Sequence, residues 1–255
     1  MQSLEKETAV TSLFARVSRI VLAAAAVGLM TVTGSAQTVA TFNGTTSESW
    51  TTASNWSPTG VLSGTGAFAL INSQTTALLR LLYTSGSFPT QPAVQVGAIK
   101  FLSTLANTSG TSSGTYNVQN NSSGTKGTLR LYGIDTTVDS ITKRFILINS
   151  STLTNVQFTQ SNAGQDFELF TDGAVHVTAG TQLTLTPLIR NGTTTAQSIT
   201  KTGLGLLALT GNSDLSTYSG GFTLDGGMVQ IAASGTAFAN TPFGIGSLTL
   251  KSGTI

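Results

Sequence analysis

The fold is decided by residues 199–255, which read ITKTGLGLLALTGNSDLSTYSGGFTLDGGMVQIAASGTAFANTPFGIGSLTLKSGTI. Short runs that alternate apolar and polar residues are separated there by glycine-rich turns. One run, GLGLLAL at 203–209, nearly recurs as GIGSLTL at 244–250. Self-similarity at a spacing of about 40 residues is typical of repeat proteins, whose units stack to bury one continuous core. We therefore expect a solenoid.

Apolar side chains in this segment recur at every second position. Successive side chains of a strand point to opposite faces, so this pattern predicts strands with one inward and one outward face. The predicted inward pairs are Leu207 with Leu209, Phe222 with Leu224, Val229 with Ile231, and Leu248 with Leu250. Glycine adopts positive φ readily, and we expect it to turn the corners at Gly203, Gly211, Gly220, Gly226 and Gly253. The pattern is that of an all-β chain that winds into a β-helix.

The segment also carries three motifs in a fixed order. They are I-x-K-x-G-x-G-x-L-x-L-x-G from Ile199, Y-x-G-G-x-x-L from Tyr218, and G-x-G-x-L-x-L from Gly244. The motif residues are Lys201, Gly203, Gly205, Leu207, Leu209, Tyr218, Gly220, Gly221, Leu224, Gly246, Leu248 and Leu250. On these residues the segment resembles the autotransporter-associated β-strand repeat, also called the passenger-associated transport repeat. The resemblance implies an exported, right-handed parallel β-helix whose repeats assist secretion, and it implies no ligand and no chemistry.

Composition narrows the class of protein. Only 9% of the 255 residues are charged, against about 25% in an average soluble domain, which favours an extended β structure coated with Ser and Thr. The net charge is +2, and Lys6, Arg16 and Arg19 lie near the N-terminus. The remaining basic residues are scattered, so we expect no nucleic-acid partner. Cysteine is absent, which excludes disulfides, thiolate metal sites and cysteine nucleophiles.

The N-terminus has the pattern of a cleavable signal peptide over residues 1–36. Arg16 and Arg19 precede an apolar stretch at 20–32 that is too short to span a bilayer. Small residues at 34–36 fit a cleavage site, with Gln37 as the first mature residue. We therefore expect export to the cell surface, to the outer membrane or out of the cell.

The mature chain is predicted to be one continuous β domain. We expect early β-helix coils with an N-terminal cap at 37–198 and the recognised repeat at 199–255. The polar stretch 107–128 is predicted to form an exposed hairpin loop around Tyr116. The second copy of the run ends at Ile255 without a closing element, so we expect the chain to be an N-terminal fragment.

Both tryptophans, Trp50 and Trp56, lie near the start of the mature chain. Repeat stacks need atypical terminal coils to cover their core, so the two indoles are candidates for such a cap. Aromatic faces also stack on sugars. A carbohydrate contact at Trp50 and Trp56 is therefore the alternative interpretation.

Few residues are candidates for chemistry. His176, the single histidine, is predicted to face outward as an ordinary surface residue. Asp166 and Glu168 share a strand face near Asp172, a pattern that could bind calcium or act as an acid/base pair on a glycoside. A solvated strand edge is the simpler interpretation. No phosphate-binding glycine loop is present, and we predict no catalytic residue, no cofactor and no metal.

The sequence therefore predicts a non-enzymatic scaffold. It would be an exported bacterial surface protein similar to an autotransporter passenger, acting as a stalk or adhesin. Its expected partners are the outer-membrane export machinery and a cell-surface glycan or a host or neighbouring cell surface. The alternatives are a β-helical protein that binds carbohydrate or cleaves polysaccharide, and a structural component of a surface layer.

Overall fold

The computed structural model describes residues 37–44, 49–72, 78–81, 93–105, 114–119, 127–159, 165–211, 216–232 and 242–255. All of them belong to one compact unit, Gln37–Ile255. The predicted signal peptide, residues 1–36, lies outside the described residues. Within the described ranges, no helix has the length and apolar character needed to cross a membrane.

Nearly every described element is a β-strand, and all but two of the described strands fall on three faces. Face 1 contains β1 (Thr38–Phe42), β3 (Ala67–Ile71), β6 (Ala98–Phe101), β10 (Ile141–Asn149), β13 (Gly173–Val177), β16 (Ser198–Thr202), β18 (Gly221–Ile231) and β19 (Leu248–Thr254). Face 2 contains β4 (Leu78–Arg80), β7 (Thr115–Gln119), β11 (Asn155–Thr159), β14 (Gln182–Leu185) and β17 (Leu206–Leu209). Face 3 contains β5 (Val94–Val96), β8 (Gly127–Leu131), β12 (Gln165–Leu169) and β15 (Leu188–Asn191).

The chain visits the faces in turn, and each circuit is a coil. Coil 1 begins with β1. Coil 2 contains β3 to β5, and coil 3 contains β6 to β8. Coil 4 contains β10 to β12, and coil 5 contains β13 to β15. Coil 6 contains β16 and β17, coil 7 begins with β18, and coil 8 begins with β19. Within each face, strands of successive coils pair in parallel, as Gly173 does with Ile199. β18 bends from face 1 to face 2, because its first half pairs with β16 and its second half with β17. The predicted all-β parallel β-helix is confirmed.

Inward side chains form columns that run through the stacked coils. On face 1, one column contains Ile99, Leu147, Val175, Lys201 and Leu224, each opposite the next. All five side chains are buried. Removing apolar surface from water stabilises the stack by about 25 cal/mol per Å², so the columns are the main source of its stability.

Aromatic rings join the three faces inside the core. Phe158 of face 2 meets Phe101 of face 1 and Phe167 of face 3 edge-on, with ring centroids 5.9 and 5.1 Å apart. Such pairs contribute about 0.5–1.5 kcal/mol beyond their area burial. The core is therefore continuous across the coil as well as along the stack.

The spacing of about 40 residues is not the coil period. The run at 203–209 contains β17 on face 2, whereas the run at 244–250 leads into β19 on face 1. The coils advance by smaller steps, since Ile199 lies opposite Phe222 and Phe222 opposite Leu248. The two runs look alike because both combine a corner glycine with an alternating strand, a local requirement that every face shares.

The prediction of an exposed hairpin around Tyr116 is wrong. Thr115–Gln119 is β7, which pairs in parallel with β4 on one side and β11 on the other. Tyr116 and Val118 are fully buried. These two apolar residues interrupt a polar stretch, and stacking between coils, rather than local composition, buries them.

One hairpin lies outside the three faces. β9 (Ile134–Val138) pairs antiparallel with the first half of β10. Asp139 and Ser140 form the turn, with φ of +49° and +65°. Two successive residues of positive φ are typical of a type I′ turn, whose twist suits a two-residue hairpin. We call residues 134–145 the strap.

The strap packs on the outer side of face 1. Val138 and Phe145 of the strap form a second apolar cluster with Ile148 and Ala174, which point outward from β10 and β13. This cluster is separate from the core inside the coils. The strap therefore shields part of the outer surface of face 1 from solvent.

Candidate functional site

The acidic residues Asp166 and Glu168 lie in the middle of face 3. Their strand, β12, pairs with β8 on one side and β15 on the other. The prediction of a solvated strand edge is therefore wrong. Glu168 accepts hydrogen bonds from Arg130 and Arg190, each at 2.8 Å, and Asp166 lies 3.6 Å from Arg190. Two arginines from neighbouring coils balance the two acids.

This ion-pair ladder links three successive coils. Arg130, Glu168 and Arg190 stand directly opposite one another on β8, β12 and β15. An acid/base pair for glycoside cleavage needs carboxyl groups that face a substrate, whereas these carboxyl groups face guanidinium groups. Asp172 also has a structural partner, because it accepts hydrogen bonds from the Ser198 amide and hydroxyl at 2.7 and 2.8 Å.

Two aromatic residues flank the ladder on the outer side of face 3. Tyr132 and Phe170 stack with ring centroids 4.5 Å apart and an interplanar angle of 23°. A side chain at Gly192, one coil further on, would collide with the Phe170 ring, so the backbone covers that side of the ring. Both faces of the Phe170 ring are therefore covered by neighbouring coils.

His176 is fully buried. It points outward between the inward Val175 and Val177, as predicted, but the turn of the strap covers it. Its Nε2 lies 2.8 Å from Asp139 Oδ2, and its Nδ1 lies 3.1 Å from Thr202 Oγ1. The prediction of an ordinary surface histidine is therefore wrong, because a hairpin inserted more than 30 residues earlier folds over it.

Burial controls the protonation of His176. Desolvation lowers its pKa, an effect that Asp139 opposes and that the charges of Lys201 and Lys100 reinforce. A neutral ring with its proton on Nε2 donates to Asp139 and accepts from the Thr202 hydroxyl, so both nitrogens are satisfied. The cluster is complete without a ligand.

Hydroxyl, imidazole and carboxylate in line also form the active centre of many hydrolases. In those enzymes the hydroxyl must reach the substrate. Here Thr202 and His176 are both fully buried, and Asp139 of the strap lies over the imidazole. The arrangement of Thr202, His176 and Asp139 therefore fixes the strap to the coils and offers no nucleophile to a substrate.

Lys201 is a buried cation inside the core. Its Nζ donates to the carbonyl oxygens of Thr202 and Gly203 at 2.8 Å each and to that of Gly226 at 3.1 Å. Desolvation lowers the pKa of Lys201 to about 8. The sequence carried a signal for this position, since period two places Lys201 on the same inward face as Ile199.

The two tryptophans lie at the first coil and are buried. Their rings meet edge-on at 4.6 Å. Trp50 Nε1 donates to the Leu62 carbonyl at 2.9 Å, and Trp56 Nε1 donates to the Trp50 carbonyl at 2.7 Å. β2 (Trp56–Ser57) pairs antiparallel with β1, unlike the parallel strands beyond it. The indoles thus leave no open face for a carbohydrate, and their placement fits the cap.

The repeat-motif residues divide into core positions, corners and an uncovered strand. Leu207, Leu209, Tyr218 and Leu224 are buried in the core. The motif glycines Gly203, Gly205, Gly220, Gly221 and Gly246 lie where neighbouring backbone leaves no room for a side chain. Leu248 and Leu250 are 43% and 61% exposed, although they continue the inward columns of Phe222 and Leu224. Their inward direction is as predicted, while their burial is incomplete.

Comparison with known proteins returns no matching family model, curated protein or solved structure. The resemblance of residues 199–255 to the autotransporter-associated β-strand repeat therefore stays a prediction made from the residues named above. In the part of the chain that the structure describes, no three His, Asp or Glu side chains are grouped so as to hold a metal ion.

Proposed function

We propose that residues 37–255 act as a β-helical scaffold of an exported bacterial surface protein, and that residues 199–255 assist its secretion. The observation that carries the proposal is the unbroken parallel stacking from β1 to β19. In such a stack each coil contacts mainly its neighbours, so folding can proceed coil by coil as the chain emerges from a membrane.

The use of polar side chains supports a scaffold role. The ladder of Arg130, Glu168 and Arg190 ties coils on face 3, and Lys201 ties coils inside the core. His176 and Asp139 tie the strap to coil 5. Buried or paired polar groups of this kind serve cohesion between coils rather than recognition of a ligand.

The N-terminal pattern and the repeat motif support export. Residues 1–36 have the charge, the apolar stretch and the small residues of a signal peptide. The scaffold would then meet the outer-membrane export machinery and present its outer faces to a cell-surface glycan or to a host or neighbouring cell. Adhesion is the role that an extended, charge-poor stalk at the cell surface serves best.

The export proposal is tested by expressing the natural full-length gene in a bacterium and measuring how much of residues 37–255 external protease degrades on intact cells. We expect degradation for the wild type and protection when Arg16 and Arg19 are both changed to Glu. Protection of the wild type would contradict export.

The secretion role of the repeat is tested separately by deleting residues 199–255 from the same gene. We expect the deletion to reduce surface display while leaving removal of residues 1–36 unchanged. Display at the wild-type level would contradict a secretion role and leave the scaffold proposal standing.

A further inference from the structure

We propose that the strap locks coils 4 to 7 into one cooperative unfolding unit. The strap belongs to coil 4, between β8 and the face 1 half of β10. Its contacts reach coil 5 and, three coils away, coil 7, whereas a solenoid coil otherwise contacts its immediate neighbours. The strap is therefore a conformational device that the repeat pattern alone would not supply.

The turn of the strap is fixed to coil 5 and, through His176, linked to coil 6. Asp139 Oδ2 lies 2.8 Å from His176 Nε2 of coil 5, and the same imidazole contacts Thr202 of coil 6. Because His176 is fully buried, releasing Asp139 would leave a ring nitrogen without its partner. An unsatisfied buried polar group is costly, so this contact resists opening of the strap.

A second contact fixes the strap to coil 7. Lys143 Nζ donates to Asp225 Oδ2 at 3.0 Å, across 82 positions of sequence. Lys143 lowers the pKa of Asp225 through this hydrogen bond and its charge. Asp225 stands opposite Thr202, which stands opposite His176, so the strap runs along one outward column of face 1.

Apolar packing seats the base of the strap. Val138 and Phe145 bury themselves against Ile148 and Ala174 of coils 4 and 5. The strap is thus held at its base by apolar contact and towards its turn by two polar contacts on different coils. Peeling coil 7 or coil 6 from the stack requires either breaking the Lys143 contact or lifting the strap from coil 5.

Nearest-neighbour solenoids open from an end, one interface at a time. A strap that spans coils 4 to 7 couples their opening. Removing its contact with coil 5 should therefore make coil 7 open more often, and removing its contact with coil 7 should make coil 5 open more often. Native-state hydrogen exchange measures this opening for each backbone amide. The experiment compares the full chain with two variants, Asp139→Gly and Lys143→Met. Glycine adopts positive φ readily, so Asp139→Gly preserves the turn and removes the oxygen that accepts from His176.

Each variant should accelerate exchange in a coil that the changed residue does not contact. For Asp139→Gly we expect about threefold to tenfold faster exchange at the Gly220 and Met228 amides of coil 7, which donate to carbonyl oxygens of coil 6. For Lys143→Met we expect an increase of similar size, about threefold or more, at Val175 and Val177 of coil 5. The proposal is overturned if each variant accelerates exchange only in the strand that its residue contacts.

Arg130→Met is the matched control. It removes an ion pair of similar length, 2.8 Å, but between adjacent coils on face 3. We expect its effect on exchange to stay within β8 and β12. An Arg130→Met effect that reached coil 7 would show that any lost ion pair loosens the whole stack, and this result would also overturn the strap proposal.

Discussion

Lys201 Nζ, inside the core, donates a hydrogen bond at 3.1 Å to the carbonyl oxygen of Gly226 in the next coil. Its two other hydrogen bonds go to Thr202 and Gly203 of its own coil. An ammonium carries three donors and no acceptor, so one side chain satisfies three carbonyl oxygens where two coils turn a corner. Lys201 therefore links coils 6 and 7 from within, while the strap reaches coil 7 from outside.

The burial of Lys201 predicts a rise in stability with pH. Desolvation lowers its pKa from 10.5 to about 8. Between these values the unfolded chain binds more protons than the folded chain, so the free energy of unfolding should increase with pH, by about 3 kcal/mol at most. Urea unfolding midpoints from pH 7 to pH 10 measure the rise. Burial raises the pKa of Tyr218, and this opposes the trend only above about pH 10, where an unfolded tyrosine ionises.

Lys201→Met is the control, because it keeps an unbranched side chain and removes the charge. We expect it to lower the free energy of unfolding at pH 7 by about 2–4 kcal/mol, since three carbonyl oxygens lose their donor. Its midpoint should also become independent of pH between 8 and 10. A Lys201→Met profile that rises as steeply as the wild type would assign the pH dependence to another group.

Close approach of the coils predicts that alanine lowers the free energy of unfolding by different amounts at two glycines of nearly equal φ. Gly203 and Gly180 have φ of +77° and +78°. A Cβ at Gly203 would collide with the Val177 carbonyl oxygen, whereas a Cβ at Gly180 would meet open space. Gly180→Ala should therefore lower the free energy of unfolding by about 1–2 kcal/mol, the strain of alanine in a left-handed backbone conformation. Gly203→Ala should cost at least about 2 kcal/mol more, because overpacking adds to that strain.

Urea unfolding of the two alanine variants under the same conditions separates strain from collision. The Gly180 variant controls for backbone strain, and the difference between the two variants reports the collision alone. Equal losses of stability would contradict the close approach of β13 and the corner after β16. Circular dichroism at zero urea checks that both variants fold before their midpoints are compared.

The pattern of alternation predicted the β-helix because inward and outward positions are a local property of each strand. Leu207 and Leu209 of β17 and Phe222 and Leu224 of β18 are buried as their period of two requires. The coil period was not predictable from the near-repeat, because corner glycines and alternating strands recur on every face. Which run stacks on which depends on the lengths of the intervening corners, and these carry no periodic signal.

The environment of His176 could not be predicted from its neighbours in sequence. Alternation gave its outward direction correctly, but its burial depends on the strap, which is inserted at 134–145. Similarly, the sequence around Asp166 and Glu168 shows two acids without a basic partner. The stacking of coils places Arg130 and Arg190 beside them. Contacts between coils determine the surroundings of His176 and of the two acids, and the sequence of one coil does not reveal which residues the other coils place beside it.

The buried tryptophans predict a stabilising cap at the N-terminal end of the coils. Trp50 packs edge-on against Trp56 and donates to the Leu62 carbonyl. Trp50→Ala should lower the free energy of unfolding by about 3–5 kcal/mol, as expected for truncating a buried aromatic residue. The midpoint of urea unfolding measures the loss. Val39→Ala, on the same first coil but 44% exposed, is the control and should change the free energy by less than about 0.5 kcal/mol.

The same pair of variants separates a cap from a ligand contact. If Trp50 is a cap, Trp50→Ala changes stability, and its binding to a glycan array matches that of the wild type wherever the variant remains folded. If Trp50 were a carbohydrate contact, Trp50→Ala would leave the unfolding midpoint near that of Val39→Ala and abolish a glycan signal present in the wild type. The second outcome requires an indole face that solvent reaches. Because both indoles are buried and both ring nitrogens donate to backbone carbonyls, we expect the first.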